Sequence, residues 1–321
     1  MQARVPTTQV SLSRVGVTGV EKVIRVQAGE GENLFHADFE CFVDLNPQQA
    51  GVHMSRFEEI VGEAIDQVVL EEALRAEILA AHIAQRVRER QGGLRAEVSV
   101  KARYPETVTT PASGIQTQEI YVLFGTAVAS EQGTRTVTGV QAQGMTACPC
   151  AQEMVAGLAR ERLAGEGFDE EQIERVIEVV PIATHNQRGI GTLYIGCPEG
   201  GPSWIDAPEL LRIVEQSMSS EIYELMKRPD ELAVVAKAHA QPRFVEDCVR
   251  EMVRRVVEDY PDLPGGAFVM ARQENLETIH RHNVVAERYG VLDDLRAELD
   301  SGEHERRHAT MREWLEAPTS A

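Results

Sequence analysis

An α+β fold with antiparallel sheets, helices packed on one face of each, is the class this sequence predicts, on three observations. Two stretches in the first half alternate apolar and polar residues strictly, which marks strands with one buried and one solvated face. Between them lies a long stretch with apolar residues at helical spacing. The second half repeats the same strand and helix logic, so the chain reads as two tandem modules.

The first strand covers residues 34–45. Phe35, Ala37, Phe39, Cys41, Val43 and Leu45 fall on one face, His36, Asp38, Glu40 and Asp44 on the other. Helical spacing follows over 56–90, with Phe57, Ile60, Val61, Ala64, Ile65, Val68 and Val69, then Leu74, Ile78 and Ile83; Gly92 and Gly93 end it. A second strand sets Leu94, Ala96, Val98, Val100 and Ala102 against Arg95, Glu97, Ser99, Lys101 and Arg103. Ile120, Val122, Phe124 and Val128 continue the pattern as the inward face of a third. In the second half, Ile173 to Val180 leads into a strand-like stretch that carries His185 and reaches Ile195. One helix is expected over about 207–227, with Leu210, Leu211, Val214, Met218, Ile222 and Leu225 inward; another over about 243–259, with Val245, Val249, Met252, Val253 and Val256 inward. A turn over 260–266 precedes a short strand at Phe268–Met270, and from Gly290 the chain is charged, helical in propensity and peripheral. The division is therefore 1–145 for an N-terminal module, 146–290 for a C-terminal module carrying most of the chemical residues, and 291–321 for a charged helical tail.

Composition narrows the function. The 321 residues are 43% hydrophobic and 26% charged, as in soluble globular proteins with a real core. No apolar run approaches the ~20 residues that cross a bilayer. The start of the chain lacks the apolar stretch of a secretory signal. Five cysteines, an odd number, do not form a disulfide framework, so we expect a cytoplasmic protein with reduced thiols. A net charge of −19 argues against nonspecific binding to nucleic acid or to an anionic membrane. It leaves room for a nucleotide, because a few arginines in a cleft can hold phosphates on an otherwise acidic protein.

The residues with chemistry begin at Cys148-Pro-Cys150, followed by Thr184-His-Asn-Gln-Arg-Gly189 and the carboxylates Asp230, Glu231 and Glu246. Sulfur, nitrogen and oxygen donors on one ion suit zinc or ferrous iron better than calcium or magnesium. Each residue also has a bland reading. The cysteines can simply be buried, although Ala151-Gln152 resembles a helix opening whose N-terminus favours a thiolate. His185 can be a satisfied core histidine. Glu231 and Glu246 can lie on solvated helix faces. His280 and His282 alternate, so on a strand they would share a side. A nucleobase-deaminase signature is excluded, because no cysteine stands three residues after Cys150. No GxxxxGK[ST] loop is present either.

Taken together, these segments resemble the type IB GTP cyclohydrolases, and more closely the archaeal-type branch of the methanopterin pathway. The likeness is carried by Val10-Ser-Leu-Ser-Arg-Val-Gly-Val17, Gly51-Val-His-Met-Ser-Arg56 and Gly144-Met-Thr-Ala-Cys-Pro-Cys-Ala-Gln152. It continues through Ile182-Ala-Thr-His-Asn-Gln-Arg-Gly-Ile-Gly191, Glu221-Ile-Tyr-Glu-Leu-Met-Lys-Arg-Pro-Asp-Glu231, Arg243-Phe-Val-Glu-Asp247 and Glu277-Thr-Ile-His-Arg-His282. The resemblance implies tandem tunnelling-fold (T-fold) modules in a homo-oligomer, a dimer or tetramer, with active sites at subunit interfaces. It implies Cys148, His185 and Glu231 as metal ligands, with Cys148 also catalytic. Glu246 matches the carboxylate that pairs with the guanine edge and His280 the acid/base; Cys150 and His282 match the pattern without a firm role. Arg56, Arg188 and Arg281 are phosphate candidates by type and position. The implied cofactor is Fe2+, with Zn2+ or Mn2+ as alternatives. The implied reaction opens the guanine imidazole ring of GTP at C8, releases formate and recloses to a 7,8-dihydroneopterin 2′,3′-cyclic phosphate or triphosphate, the first step of a methanopterin or folate pathway. Two other readings stay open. One is a nitrile reductase of the same fold with a cysteine nucleophile. The other is a non-catalytic purine- or pterin-binding metal protein.

Overall fold

The structure, a computed structural model, describes residues 5–28, 31–67, 75–198, 205–302 and 308–317. Strands β1 (Leu12–Ala28) and β2 (Gly31–Leu45) are followed by helices α1 (Met54–Gln67) and α2 (Ala76–Gln91), then by β3 (Arg95–Thr109), β4 (Gln116–Ser130) and β5 (Gly133–Ala147). Next come α3 (Pro149–Gly165), α4 (Glu170–Val179), β6 (Asn186–Cys197), α5 (Ala207–Gln216), the two-residue β7 (Ser220–Glu221), α6 (Arg228–Ala240) and α7 (Val245–Asp259). Strands β8 (Phe268–Leu276) and β9 (Val284–Val291) and helices α8 (Leu292–Ser301) and α9 (Met311–Glu316) complete the described elements.

All strand pairs are antiparallel, in the order β1-β2-β3-β4-β5-β6-β8-β9, with β7 added at β5. The two halves therefore share one sheet. Residue 145, where the sequence reading divides the modules, lies inside β5, which pairs with β4 on one side and β6 on the other. The alternation of 34–45 has its expected outcome: all six residues from Phe35 to Leu45 on the apolar face are buried, as are Ala96, Val98, Val100 and Ala102 opposite them. Gly92 takes the left-handed conformation (φ 70°) and caps α2 as expected.

Four expectations need correction. In β4 the face packed under α2 is Tyr121, Leu123, Gly125, Ala127 and Ala129, while Ile120 is 52% exposed. Both faces of this strand carry apolar residues, and the small ones lie inward because α2 presses directly on the backbone. A Cβ at Gly125 would stand 2.1 Å from the Ala76 carbonyl carbon. Gly125→Ala should therefore lower the unfolding free energy by about 1–3 kcal/mol or more; an unchanged denaturant midpoint would mean that α2 shifts freely. Second, Leu94, expected on the buried face of the second strand, precedes β3 and is 69% exposed; the helical spacing of 56–90 is carried by two helices, with Val68, Val69 and Leu74 outside the described residues.

Third, the helix expected to reach residue 227 stops at Gln216. Ser217 and Ser219 are fully buried, and Ser220–Glu221 joins the sheet at Gly144 and Met145. Met218 is buried not in a helical stripe but in a slot that Gly144 and Gly189 leave by lacking Cβ atoms, which would lie 2.6 Å and 3.0 Å from its Cε and Sδ. Leu225 is exposed, and α6, absent from the sequence reading, follows. Finally, the tail is not wholly peripheral: Leu292, Leu295, Trp314 and Leu315 are buried. Among the described residues no helix is long and apolar enough to cross a membrane.

Candidate functional site

One end of the sheet gathers several of the singled-out residues. Cys148 follows the last residue of β5 and is the N-cap of α3; Pro149 takes the first helical position, where its missing N–H is harmless. The Cys148 Sγ accepts the Ala151 N–H at 3.5 Å, so the helix opening expected at Ala151-Gln152 is there. His185 directly precedes β6, and the pairing of Ala147 with Asn186 brings the two segments side by side. The Cys148 N–H donates to the His185 carbonyl at 3.2 Å, and Thr184 Oγ1 donates to the Cys148 carbonyl at 3.2 Å.

Residues that sequence reasoning missed hold this corner. Gln152 Nε2 donates to both the Ile182 and the His239 carbonyls, at 2.8 and 2.7 Å. His239, on α6, places Nε2 3.2 Å from the Thr184 carbonyl and Nδ1 3.0 Å from that of Val235. Ser219 Oγ accepts the Ala147 N–H at 3.1 Å, and the Arg243 N–H donates to the Ala147 carbonyl at 3.0 Å. Gln187 Oε1 lies 3.2 Å from His185 Nδ1. Most of these partners are backbone groups of distant segments. The only local signal was the run of polar residues around His185.

The third expected ligand lies elsewhere. Glu231 is exposed in the first turn of α6, whereas His239, at the other end of that helix, is what reaches Thr184. Eight helical residues separate the two, roughly 12 Å along the axis. Among the described residues no three His, Cys, Asp or Glu side chains are grouped closely enough to hold a metal ion. A cysteine sulfur and a histidine nitrogen, the latter held at Nδ1 so that Nε2 is left, do fit zinc or ferrous iron, and the fold places their segments together. The neighbour of Glu231, Asp230, is fully buried and fixes the start of α6 on the β3–β4 turn. It accepts from Ala112 N (2.9 Å), Ser113 N (2.8 Å), Ser113 Oγ (2.6 Å) and Lys227 N (2.9 Å). Burial alone would raise its pKa; the hydrogen bonds from Ser113, Lys227 and Ala112 outweigh it and hold the carboxyl well below the usual range.

Glu246 is exposed in the first turn of α7 and lines a crevice of about 280 Å³ between α7, β9 and α8, floored by Val249, Val253 and Leu295 and edged by Arg250 and Arg288. His280, Arg281 and His282 are exposed in the β8–β9 loop, not on a strand, and the two histidine rings stack 5.1 Å apart. Thr278 Oγ1 donates to the Asn186 carbonyl, so this loop leaves the sheet beside His185. Arg188, on β6, is exposed, while Arg56 Nη1 donates to the Arg90 carbonyl at 3.1 Å.

Next to this corner, α3 buries only Ala156. Met154, Val155 and Leu158 are 66%, 44% and 48% exposed, and with Ala151 they form one apolar stripe at i, i+3, i+4, i+7 that no described part of the chain covers.

Glu215 stands among other carboxylates, Glu221, Glu106 and Glu119. Tyr121 donates to Glu215 Oε1 at 2.7 Å, tying β4 to α5. Burial raises the Glu215 pKa to about 7; the Tyr121 bond opposes this, and Glu221, Glu106 and Glu119 add to it. The folded-state pKa thus lies above the ordinary value of about 4.3. The stability linked to this proton is fully present below pH ~4 and is lost as pH rises through about 7. Glu215→Gln keeps an acceptor for Tyr121 without the charge. It should be more stable than wild type above pH ~7, by up to about 3 kcal/mol, with the difference gone below pH ~4. Chemical denaturation across that pH range checks the sign.

The sequence profile of the family described as type I GTP cyclohydrolase folE2 matches residues 1–286. The chain is 41% identical over 305 residues to the GTP cyclohydrolase MptA of Methanothermobacter thermautotrophicus, spanning 93% of this chain and 95% of that protein. To the GTP cyclohydrolase MptA of Haloarcula marismortui it is 42% identical over 301 residues, spanning 93% and 97%. Among solved structures, a hyper-thermostable uricase mutant superimposes with a TM-score of 0.53 at 9% identity, covering 87% of this chain and 92% of that one. The uricase of Arthrobacter globiformis gives 0.50 at 11% identity, covering 88% and 95%. At such identities the likeness shows the fold alone, an antiparallel α+β arrangement of the tunnelling type.

Proposed function

The chain belongs to the type I GTP cyclohydrolase family, and from that premise we propose that it hydrolyses GTP at C8 of the guanine ring in the opening step of a pterin pathway. The observation that carries the reading is the meeting of Cys148 and His185, the centres of two of the segments that resemble the family, at one end of the sheet. C8 leaves as formate; the ribose, still bonded to N9 through C1′, rearranges to a 2′-ketone, and that carbon condenses with the one freed amine, N7, losing water, to give a 7,8-dihydroneopterin phosphate. The similarity to the archaeal relatives favours the 2′,3′-cyclic phosphate, formed with loss of diphosphate, over the triphosphate.

Cys148, His185 and Glu231 are the proposed ligands of a divalent transition metal, Fe2+ first and Zn2+ or Mn2+ next. When bound, such an ion lowers the pKa of a coordinated water and so supplies a nucleophile near neutral pH. Glu246 offers two carboxylate oxygens, an acceptor pair for the N1–H and 2-amino group of guanine. His280 carries protons to and from the opening ring, from a loop rooted beside His185. For the phosphates, Arg188 and Arg281 come before Arg56, which already donates to the Arg90 carbonyl.

The working form is proposed to be a cytoplasmic homo-oligomer. Two observations support a second copy: one chain does not group three metal donors among its described residues, and the apolar stripe of α3 begins one turn from Cys148. Incubating anaerobically purified protein with GTP and Fe2+, then measuring formate and the phosphate pattern of the pterin, tests the reading. Formate with a cyclic phosphate is the expected result. Formate with an intact triphosphate would correct the product, and no formate under any divalent metal would overturn the activity.

A further inference from the structure

We propose that Gln187 is a positioning residue for His185, fixing the imidazole so that Nε2 rather than Nδ1 is presented to a bound metal ion; this rests on the metal role given to His185 above. Gln187 is the second residue of β6 and only 5% exposed. Two residues apart along extended chain, the side chains of His185 and Gln187 lie on the same side. The Gln187 Oε1 stands 3.2 Å from His185 Nδ1.

A carbonyl oxygen can only accept, so this contact puts the ring proton on Nδ1 and leaves the lone pair on Nε2. The backbone of His185 is fixed separately, by the bond from the Cys148 N–H to its carbonyl. Main chain and ring are thus each held by one contact, the first of them to the proposed partner ligand. Across the strand pair Gln187 faces Thr146, which is fully buried. Solvent is therefore kept from competing for the amide. An amide does this without adding a negative charge to a buried position, which a carboxylate in its place would do.

Partners of this kind typically change metal affinity 10- to 100-fold when removed. Gln187→Leu, which keeps the volume and loses the acceptor, should weaken zinc binding by about 10- to 100-fold in competition with a chromophoric chelator. Gln187→Glu restores an acceptor to Nδ1 and should bind zinc at least as tightly as wild type. In the cobalt-substituted protein the visible absorption bands should shift in the Leu variant and return in the Glu variant. Wild-type zinc affinity in Gln187→Leu would overturn the proposal, as would equal losses in both variants, because then packing and not the acceptor matters. His185→Ala is the separate check on the underlying reading. If it binds zinc like wild type, His185 is no ligand, and the metal assignment fails whatever Gln187 does.

Discussion

Cys148→Ala should abolish formate release, lowering turnover by roughly three orders of magnitude or more, while the fold persists. Both halves of this expectation come from how Cys148 is held. Its N–H bonds the His185 carbonyl and its own carbonyl accepts from Thr184 Oγ1, and neither contact involves the side chain. What the thiol gives the fold is one long N-cap bond, Ala151 N–H to Sγ at 3.5 Å, weaker than the hydroxyl and carboxylate caps whose removal costs about 1 kcal/mol. Pro149 still pre-sets the first turn of α3. Cys148→Ser sharpens the comparison. Its hydroxyl should cap α3 as well as or better than sulfur, yet it is a harder and far less acidic donor for zinc or ferrous iron. The serine variant should therefore match wild-type thermal stability and share the alanine variant's loss of metal and of formate. A fully active alanine variant would remove Cys148 from both the metal site and the chemistry.

How far the sequence alone reaches depends on what each residue packs against. The strands at 34–45 and 95–103 were legible because one face packs under helices and the other is largely solvated, and composition records that difference directly. Strand β4 was misread in phase because Ile120 and Phe124 look more like core than Gly125 and Ala127 do. The small residues are the buried ones, since α2 lies against the strand backbone. Residues 217–221 have helical spacing but leave the helix, because two serines, a methionine slot and a strand pair with β5 outweigh it. In the site, Cys148 and His185 were legible as motif residues. That they meet needed the β5–β6 register. Glu231 carries no sign in its neighbourhood of sitting at the far end of α6 from His239. Gln152 and Gln187 stood in those motifs without a role and His239 in none of them, because a polar residue in a sequence does not say which carbonyl, or which ring, will face it.

Trp314→Ala should cost about 3–5 kcal/mol, the range for deleting a large buried aromatic side chain, although it lies in the segment whose charge suggests a loose tail. Trp314 is 5% exposed and sits with Val128, Val137, Phe268 and Leu315 on the side of the sheet opposite α2, α5 and α7. Its ring lies 5.8 Å from that of Phe268 and 5.1 Å from the Arg135 guanidinium, and Arg135 also donates to the Trp314 carbonyl. Gly196 makes the place: a Cβ there would stand 2.8 Å from the indole. Nε1 donates to the Gly266 carbonyl at 3.0 Å, joining the tail to the turn before β8. Helix α9 has only six residues, too few to persist in water without an anchor, even with the Thr310–Glu313 capping box. Losing the indole should thus release the whole helix. Trp314→Phe separates the terms: it keeps most of the ring contact but loses the Nε1 bond, and should cost about 1 kcal/mol for that bond plus part of the packing. Equal denaturant midpoints for wild type and Trp314→Ala would show instead that α9 only drapes over the sheet. A graded loss from Phe to Ala would show that one side chain holds the last described helix to the face of the sheet that the other helices leave open.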